Sequence, residues 1–195
     1  MKIIGITGNT GAGKSTATAL LREAGAFIID ADKIGHEIIL KGNTAYNEIV
    51  KVFGTDILNA QGDIDRKKLG YIVFADKEQL KKLSAITHPR ITRHIMETIE
   101  TVRNKRRIIV IDAPLLFQAG LDDICDLIYL ITASPDIRAK RIAVRDNLTM
   151  DDAKKRIEIQ ENIIDLLNKN QLAKTIIINN NSYINVLKQL IFEGL

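Results

Sequence analysis

The sequence predicts an α/β fold, a five-stranded parallel sheet flanked by helices, with a helical insertion and a helical flap added to it. Three observations carry that expectation. Five short runs, Ile3 to Thr7, Phe27 to Asp30, Ile108 to Asp112, Leu127 to Thr132 and Thr175 to Asn179, are apolar and rich in Ile and Val, without period-2 alternation. Strands buried on both faces of a parallel sheet have that character. Helical patterns separate the runs, and right-handed crossovers then wind the sheet on both sides. Finally, the first run breaks into G-x-x-x-x-G-K-S at Gly8 to Ser15 and becomes a helix, which is a phosphate-binding loop in the context such a loop requires.

The elements follow in order. Gly8, Gly11 and Gly13 let the loop turn at positive φ and aim N–H groups inward, and the next helix adds its positive end to that anion nest. In such a nest Lys14 reaches the β- and γ-phosphates and the Ser15 hydroxyl ligates Mg²⁺. The helix runs from Ser15 to Glu23, with Gly25 as its C-cap. The second strand ends in Asp30-Ala31-Asp32. An Asp there can accept or orient the proton of an attacking hydroxyl; alternatively Asp32 is the N-cap of a helix from Lys33 to Leu40 whose apolar face is Ile34, Ile38 and Ile39.

The third strand arrives only at Ile108, far beyond the ~30 residues of a βαβ unit. The stretch between carries several helices, with loop signals at Lys41 to Thr44, at Asn59 to Asp65 around Gly62, and at His88-Pro89, which breaks a long helical pattern. It reads as a helical insertion over the C-terminal edge of the sheet, where α/β ligands bind. Taken singly, Arg66 and His88 within it are turn or capping residues. Asp112 ends the third strand, placed either to complete a magnesium shell or to cap the turn through Pro114. A second excursion, Ser134 to Gln160, has Asp136 and Thr149 at N-cap positions of two helices, with Asp152 strengthening the second. Arg141 and Arg145 are four apart and share a helix face, so both can point inward and neutralise phosphate charge. Arg138 reads as a surface residue, and a solvated basic face is the alternative for the whole group.

A chain of 195 residues suits one domain with excursions able to move separately. Its formal charge of +4 fits a polyanionic small molecule as well as a nucleic acid. The densest basic cluster, Arg103 to Arg107, directly precedes an apolar run and reads as a solvated helix end; aromatic stacking residues are scarce beside it, and no nucleic-acid motif accompanies it. Cys125 is the only cysteine, so neither an intramolecular disulfide nor a Cys-based zinc site is expected, in keeping with a reducing cytosol. With Met1 leading straight into a strand, the expectation is a cytoplasmic protein that engages neither membrane nor nucleic acid, with a monomer favoured.

A regulatory GTPase would carry a D-x-x-G switch and an N-K-x-D base reader, but Asp112 is followed by Ala-Pro-Leu, and Asn168-Lys169-Asn170-Gln171 lacks the closing Asp. A small chain with an insertion after its second strand and an Arg-rich flap fits kinases of small molecules. The ordered set I-D-A-D-K-I at 29–34, G-D-I-D-R-K-K-L at 62–69, Val73-Phe74, T-H-P-R-I at 87–91, D-A-P-L-L-F at 112–117, S-P-D-I-R-A-K-R at 134–141, R-D-N-L-T at 145–149, R-I-E-I-Q at 156–160 and I-I-N-N-N near the C-terminus, together with the loop, resembles the dephospho-CoA kinase family.

That resemblance implies ATP-dependent phosphorylation of the ribose 3′-hydroxyl of dephospho-CoA on a P-loop kinase core. The core would comprise residues 1–33, 106–133 and 161–195, the CoA-binding insertion 34–105 and the lid 134–160. It implies that Gly8, Asn9, Thr10, Gly11, Ala12, Gly13, Lys14, Ser15 and Thr16 bind ATP phosphates, with Mg²⁺ at Ser15 and Asp112. Asp32 would contact the acceptor hydroxyl as base, Lys14, Arg141 and Arg145 would serve catalysis, and Arg66 and His88 would shape the acceptor pocket. Gln118 stands where the family often has Glu, Lys174 where it commonly has Asp, and Asn181 replaces a usual Gly. Another small-molecule kinase of the same architecture, with a nucleoside, nucleotide or shikimate-like acceptor, is the alternative enzyme; a nucleotide-dependent regulatory or nucleic-acid-binding protein is the alternative class.

Overall fold

The computed structural model describes residues 1–158 and 163–181. Strands β1 (Lys2–Gly8), β2 (Phe27–Asp30), β3 (Ile108–Asp112), β4 (Leu127–Thr132) and β5 (Thr175–Asn179) form one parallel sheet of order β2-β3-β1-β4-β5. Every apolar run of the sequence is a strand. β1 lies centrally, with Ile6 opposite Asp112 of β3 and Gly8 opposite Ile131 of β4, while Thr132 faces Asn179 of β5. Parallel register therefore brings the ends of β1, β3, β4 and β5 to one edge, and the phosphate-loop sequence and Asp112 meet there. Ile4, Ile6, Val110, Tyr129 and Ile131 are fully buried and pack with Ala17, Leu20 and Leu21 of helix α1 (Lys14–Glu23). Each of the Ile, Leu and Val side chains among them contributes about 1.5–3 kcal/mol of hydrophobic stabilisation.

Helix α1 ends as its glycine predicts. Gly25, at φ 92°, donates to the Arg22 carbonyl (3.0 Å), and Ala26 donates to Leu21 (3.0 Å), the paired bonds of a Schellman motif.

The chain divides into two compact units, one of residues 1–29 with the chain from Arg103 onward, the other Asp30–Val102. The sequence boundaries of 34–105 differ from this by a few residues. In the second unit, helices α2 (Ala31–Ile38), α3 (Tyr46–Phe53) and α4 (Arg66–Ala75) pack against the long α5 (Lys77–Val102). Ile34, Ile38, Ile49, Leu69 and Val73 are buried there, as are Ile86, Ile95 and Ile99 of α5. The Asn59–Asp65 loop is closed by the Asn59 carboxamide, which accepts from the N–H groups of Gln61 (3.0 Å) and Asp63 (2.9 Å).

Pro89 does not break the pattern as the sequence suggested: α5 runs through it. A proline removes one helical hydrogen bond and crowds the turn before it, and here the Arg90 guanidinium donates to the Ile86 carbonyl in that turn (2.6 Å) and to Thr44 O (3.0 Å). Burial of the helix on three neighbours and these side-chain bonds offset the loss. The basic cluster from Arg103 to Arg107 forms the exposed connection between α5 and β3, with Arg106 over the Phe27 ring at 5.8 Å.

In the first unit, α6 (Pro135–Asp146) and α7 (Met150–Glu158) pack through Ala139, Ile142 and Ala153, and α8 (Lys169–Ala173) precedes β5. Thr149 caps α7 as expected: its hydroxyl accepts from Asp152 N–H (3.1 Å) and donates to the Asp152 carboxylate (2.7 Å). Asp136 is instead inside the first turn of α6, because Ser134 takes the N-cap position and Pro135 starts the helix. Gln160, the last residue expected in the lid, and parts of the core segment 161–195 lie outside the described residues.

Candidate active site

The loop after β1 has the conformation its glycines predict, with Gly8, Gly11 and Gly13 at φ 156°, 79° and 95°. Gly13 is also the N-cap of α1, which has no side-chain cap. A Cβ at Gly13 would collide with the Asn180 carboxamide, so the position demands glycine for space as well as for φ. Ala12 N–H closes the loop on Asn9 O (3.0 Å), and Thr16 N–H bonds to Gly13 O (3.1 Å). The N–H groups of Gly11 and Gly13 have no protein acceptor among the described residues. Amides so placed, at the start of a helix dipole, attract an anion.

Lys14, first residue of α1, forms an ion pair with Asp112 at the end of β3. The other Asp112 oxygen accepts from the Thr18 hydroxyl at 2.8 Å, one turn along α1. Asp112 therefore does not cap the turn through Pro114; that turn is held by the Thr7 hydroxyl on Pro114 O (3.1 Å). Thr18, 5% exposed, belongs to no sequence motif, although its spacing of four from Lys14 puts it on the same helix face. Ser15 is exposed at the helix start beside this pair.

The arginines of α6 divide differently from their spacing. Arg138, expected at the surface, is 8% exposed and donates from Nε to Thr10 O (2.9 Å); burial lowers its pKa from the ordinary value. Arg141 donates from Nη1 to Gly11 O and Ala12 O (both 3.2 Å) and from Nη2 to Asn180 O (2.9 Å). Arg145 does not join it. That side chain is 59% exposed and forked onto Asp146 (2.7 and 2.9 Å), which Arg156 also contacts at 2.5 Å. The Arg145 hydrogen bond, aided by Arg156, holds the Asp146 carboxyl below its ordinary pKa. Residues i and i+3 share a face as well as i and i+4, so the pair Arg138/Arg141 was as legible as Arg141/Arg145; the tertiary fold chose between them.

In the second unit, Asp30 is the N-cap of α2, accepting from Lys33 N–H at 3.0 Å. The capping role left open for Asp32 therefore belongs to its neighbour, and Asp32 is an exposed acid in the first turn of the helix. Arg66 opens α4 behind its N-cap Asp65 and lines a groove with Lys67, Gly70, Tyr71 and Phe74, whose two rings are more than four-fifths exposed. His88 is half-buried on α5 and does not line that groove. Of the departures from the family pattern, Lys174 donates to the carbonyls of Asp122 and Cys125. Asn181 accepts from Ser134 N–H at 2.6 Å, at the start of α6.

A sequence profile described as dephospho-CoA kinase matches residues 2–185. The chain is 41% identical over 162 residues to the dephospho-CoA kinase of Moorella thermoacetica, covering 82% of this chain and 76% of that one. It is 38% identical over 191 residues to that of Listeria monocytogenes, covering 97% and 94%. The solved structure of dephospho-CoA kinase from Campylobacter jejuni is similar with a TM-score of 0.67 at 30% identity, over 100% of this chain and 96% of that one. A phosphate loop whose lysine meets the Asp at the end of the third strand, on the parallel sheet that the sequence prescribes and with this likeness along nearly its whole length, makes the chain a member of the dephospho-CoA kinase family.

Proposed function

We propose that this chain transfers the γ-phosphoryl group of ATP to the ribose 3′-hydroxyl of dephospho-CoA, giving coenzyme A and ADP, the last step of coenzyme A synthesis. The observation that carries the reading is the loop itself: glycines at positive φ running into a helix start, with Lys14 and Asp112 together at its rim. The family supplies the acceptor.

Ser15 and Asp112 offer hard oxygen donors of the kind Mg²⁺ takes when most of its other ligands are phosphate oxygens and water, so the residues fit that ion. Held by Ser15 and Asp112, such an ion would supply positive charge against the polyphosphate. The loop from Gly8 to Thr16 binds the polyphosphate, and Lys14 leaves Asp112 for the phosphate oxygens. Asp32 takes the proton of the 3′-hydroxyl as its oxygen bonds to the γ-phosphorus and the bond to the bridging oxygen of ADP breaks. Arg141 neutralises charge from the loop rim, and Arg145 serves the lid once released from Asp146. Arg66 and His88 shape the acceptor pocket. In a loose transition state positioning and charge neutralisation outweigh the base.

Residues 34–105 act as the CoA-binding insertion and 134–160 as the lid. No helix among the described residues is long and apolar enough to cross a membrane, and we place the enzyme in the cytoplasm as a monomer that binds neither membrane nor nucleic acid. Incubation with Mg-ATP and dephospho-CoA yields coenzyme A and ADP in equal amounts. A panel of nucleosides, nucleotides and shikimate tests the acceptor: turnover of one of these, with none of dephospho-CoA, would overturn the assignment.

A further inference from the structure

An anion nest works only if its carbonyls turn outward, because an inward carbonyl would repel the phosphate. Outward carbonyls that are packed away from water need donors of their own. Here three consecutive ones are served by side chains from distant parts of the chain. Thr10 O receives Arg138 Nε (2.9 Å), Gly11 O receives Arg141 Nη1 (3.2 Å), and Ala12 O receives both Arg141 Nη1 (3.2 Å) and Asn180 Nδ2 (3.0 Å).

Asn180 is the member that ties these together. It is 9% exposed, and its N–H is anchored on Thr132 O at the end of β4 (2.7 Å). Its own carbonyl holds Arg141 Nη2 (2.9 Å), and its carboxamide fills the space left by the missing Cβ of Gly13. We infer that Asn180 is a positioning residue for phosphoryl transfer. Through Ala12 O it holds the loop with its amides facing the nucleotide, and through its backbone carbonyl it fixes Arg141 at the loop rim. It acts on the nucleotide only through these groups. The inference rests on the proposed use of the loop for ATP.

Two substitutions separate a hydrogen-bonding role from one of filling space. Asn180→Asp keeps the shape but puts an acceptor against the Ala12 carbonyl; Asn180→Ala removes the shape and the donor together. With the donor decisive, the KM for ATP rises about tenfold in Asn180→Ala and at least as much in Asn180→Asp, while the KM for dephospho-CoA stays within about twofold and kcat within about threefold. Exchange of the Ala12 amide, bonded to Asn9 O, is measured in each variant without added nucleotide. It accelerates about tenfold in both relative to the unaltered protein, with the amides of β1 and β3 unchanged. The exchange readout needs no turnover, so its failure is distinct from failure of the proposed reaction. Near-normal ATP KM and Ala12 exchange in Asn180→Asp, with only Asn180→Ala impaired, would reduce Asn180 to packing and overturn the inference. So would an equal rise in both KM values. Because Asn180→Asp preserves volume, the proposal stays testable if Asn180→Ala fails to fold.

Discussion

Lys14 is held by the carboxylate of Asp112, so in the proposed reaction a polyphosphate in the loop would replace one anionic partner of the ammonium with another. The lysine is therefore never left as an uncompensated charge at the loop rim. Lys14→Ala should abolish measurable phosphoryl transfer while circular dichroism and melting stay close to those of the unaltered protein; near-normal turnover would remove Lys14 from the phosphate site. Asp32 lies in the first turn of α2 while Asp30 caps it. If Asp32 is the base proposed above, Asp32→Asn lowers kcat at least tenfold with ATP affinity nearly unchanged, and an unaltered kcat would exclude that role. Tyr129 belongs to the same scale. Its ring is fully buried in the sheet core and its hydroxyl has no partner among the described residues. A buried hydroxyl without a partner costs free energy that an apolar replacement of the same shape avoids. Tyr129→Phe should raise stability by about 1 kcal/mol in urea unfolding, and a loss of that size would show that the hydroxyl is satisfied.

At the scale of elements, the strands were legible because a strand buried on both faces has only one chemical requirement, an apolar surface, and Ile108 to Asp112 or Leu127 to Thr132 meet it locally. Caps that use neighbouring residues were legible for the same reason, as at Gly25 and Thr149. Thr149→Ala removes the hydroxyl that accepts from Asp152 N–H and donates to its carboxylate, and should destabilise α7 by about 1 kcal/mol, read as faster amide exchange in its first turn with α6 little changed. Pro89 was not legible. Its local cost is real, but α5 is stabilised by packing against α2, α3 and α4 and by the Arg90 bond to Thr44, which no local pattern contains. The division of the α6 arginines failed for a related reason. Helical spacing says which side chains share a face, but not which face meets the loop.

For the whole molecule, the one thiol gives a pH dependence of stability. Burial pushes Cys125 up from 9.0 to about 12, with Lys174 opposing and Asp122 and Asp126 adding to the rise. The folded value exceeds the unfolded one, so the stabilisation is complete below about pH 9 and falls between about pH 9 and 12, by up to about 1.4 kcal/mol per unit. Tyr129, also raised by burial, adds to the loss in the same direction. Urea midpoints should decline steadily above pH 9, and Cys125→Ala should make that decline shallower; an unchanged slope would place the alkaline sensitivity elsewhere. By itself the sequence determined the strands, the phosphate loop and the family, because each depends on residue types within a short window or on their order along the chain. Only the tertiary structure decided that Lys14 pairs with Asp112, that Arg138 and Arg141 reach the loop while Arg145 turns to Asp146, and that Asn180 braces Ala12. Apart from the neighbours Arg145 and Asp146, those contacts join residues about 100 to 170 positions apart, a span over which pairing is set by sheet order and packing rather than by local pattern.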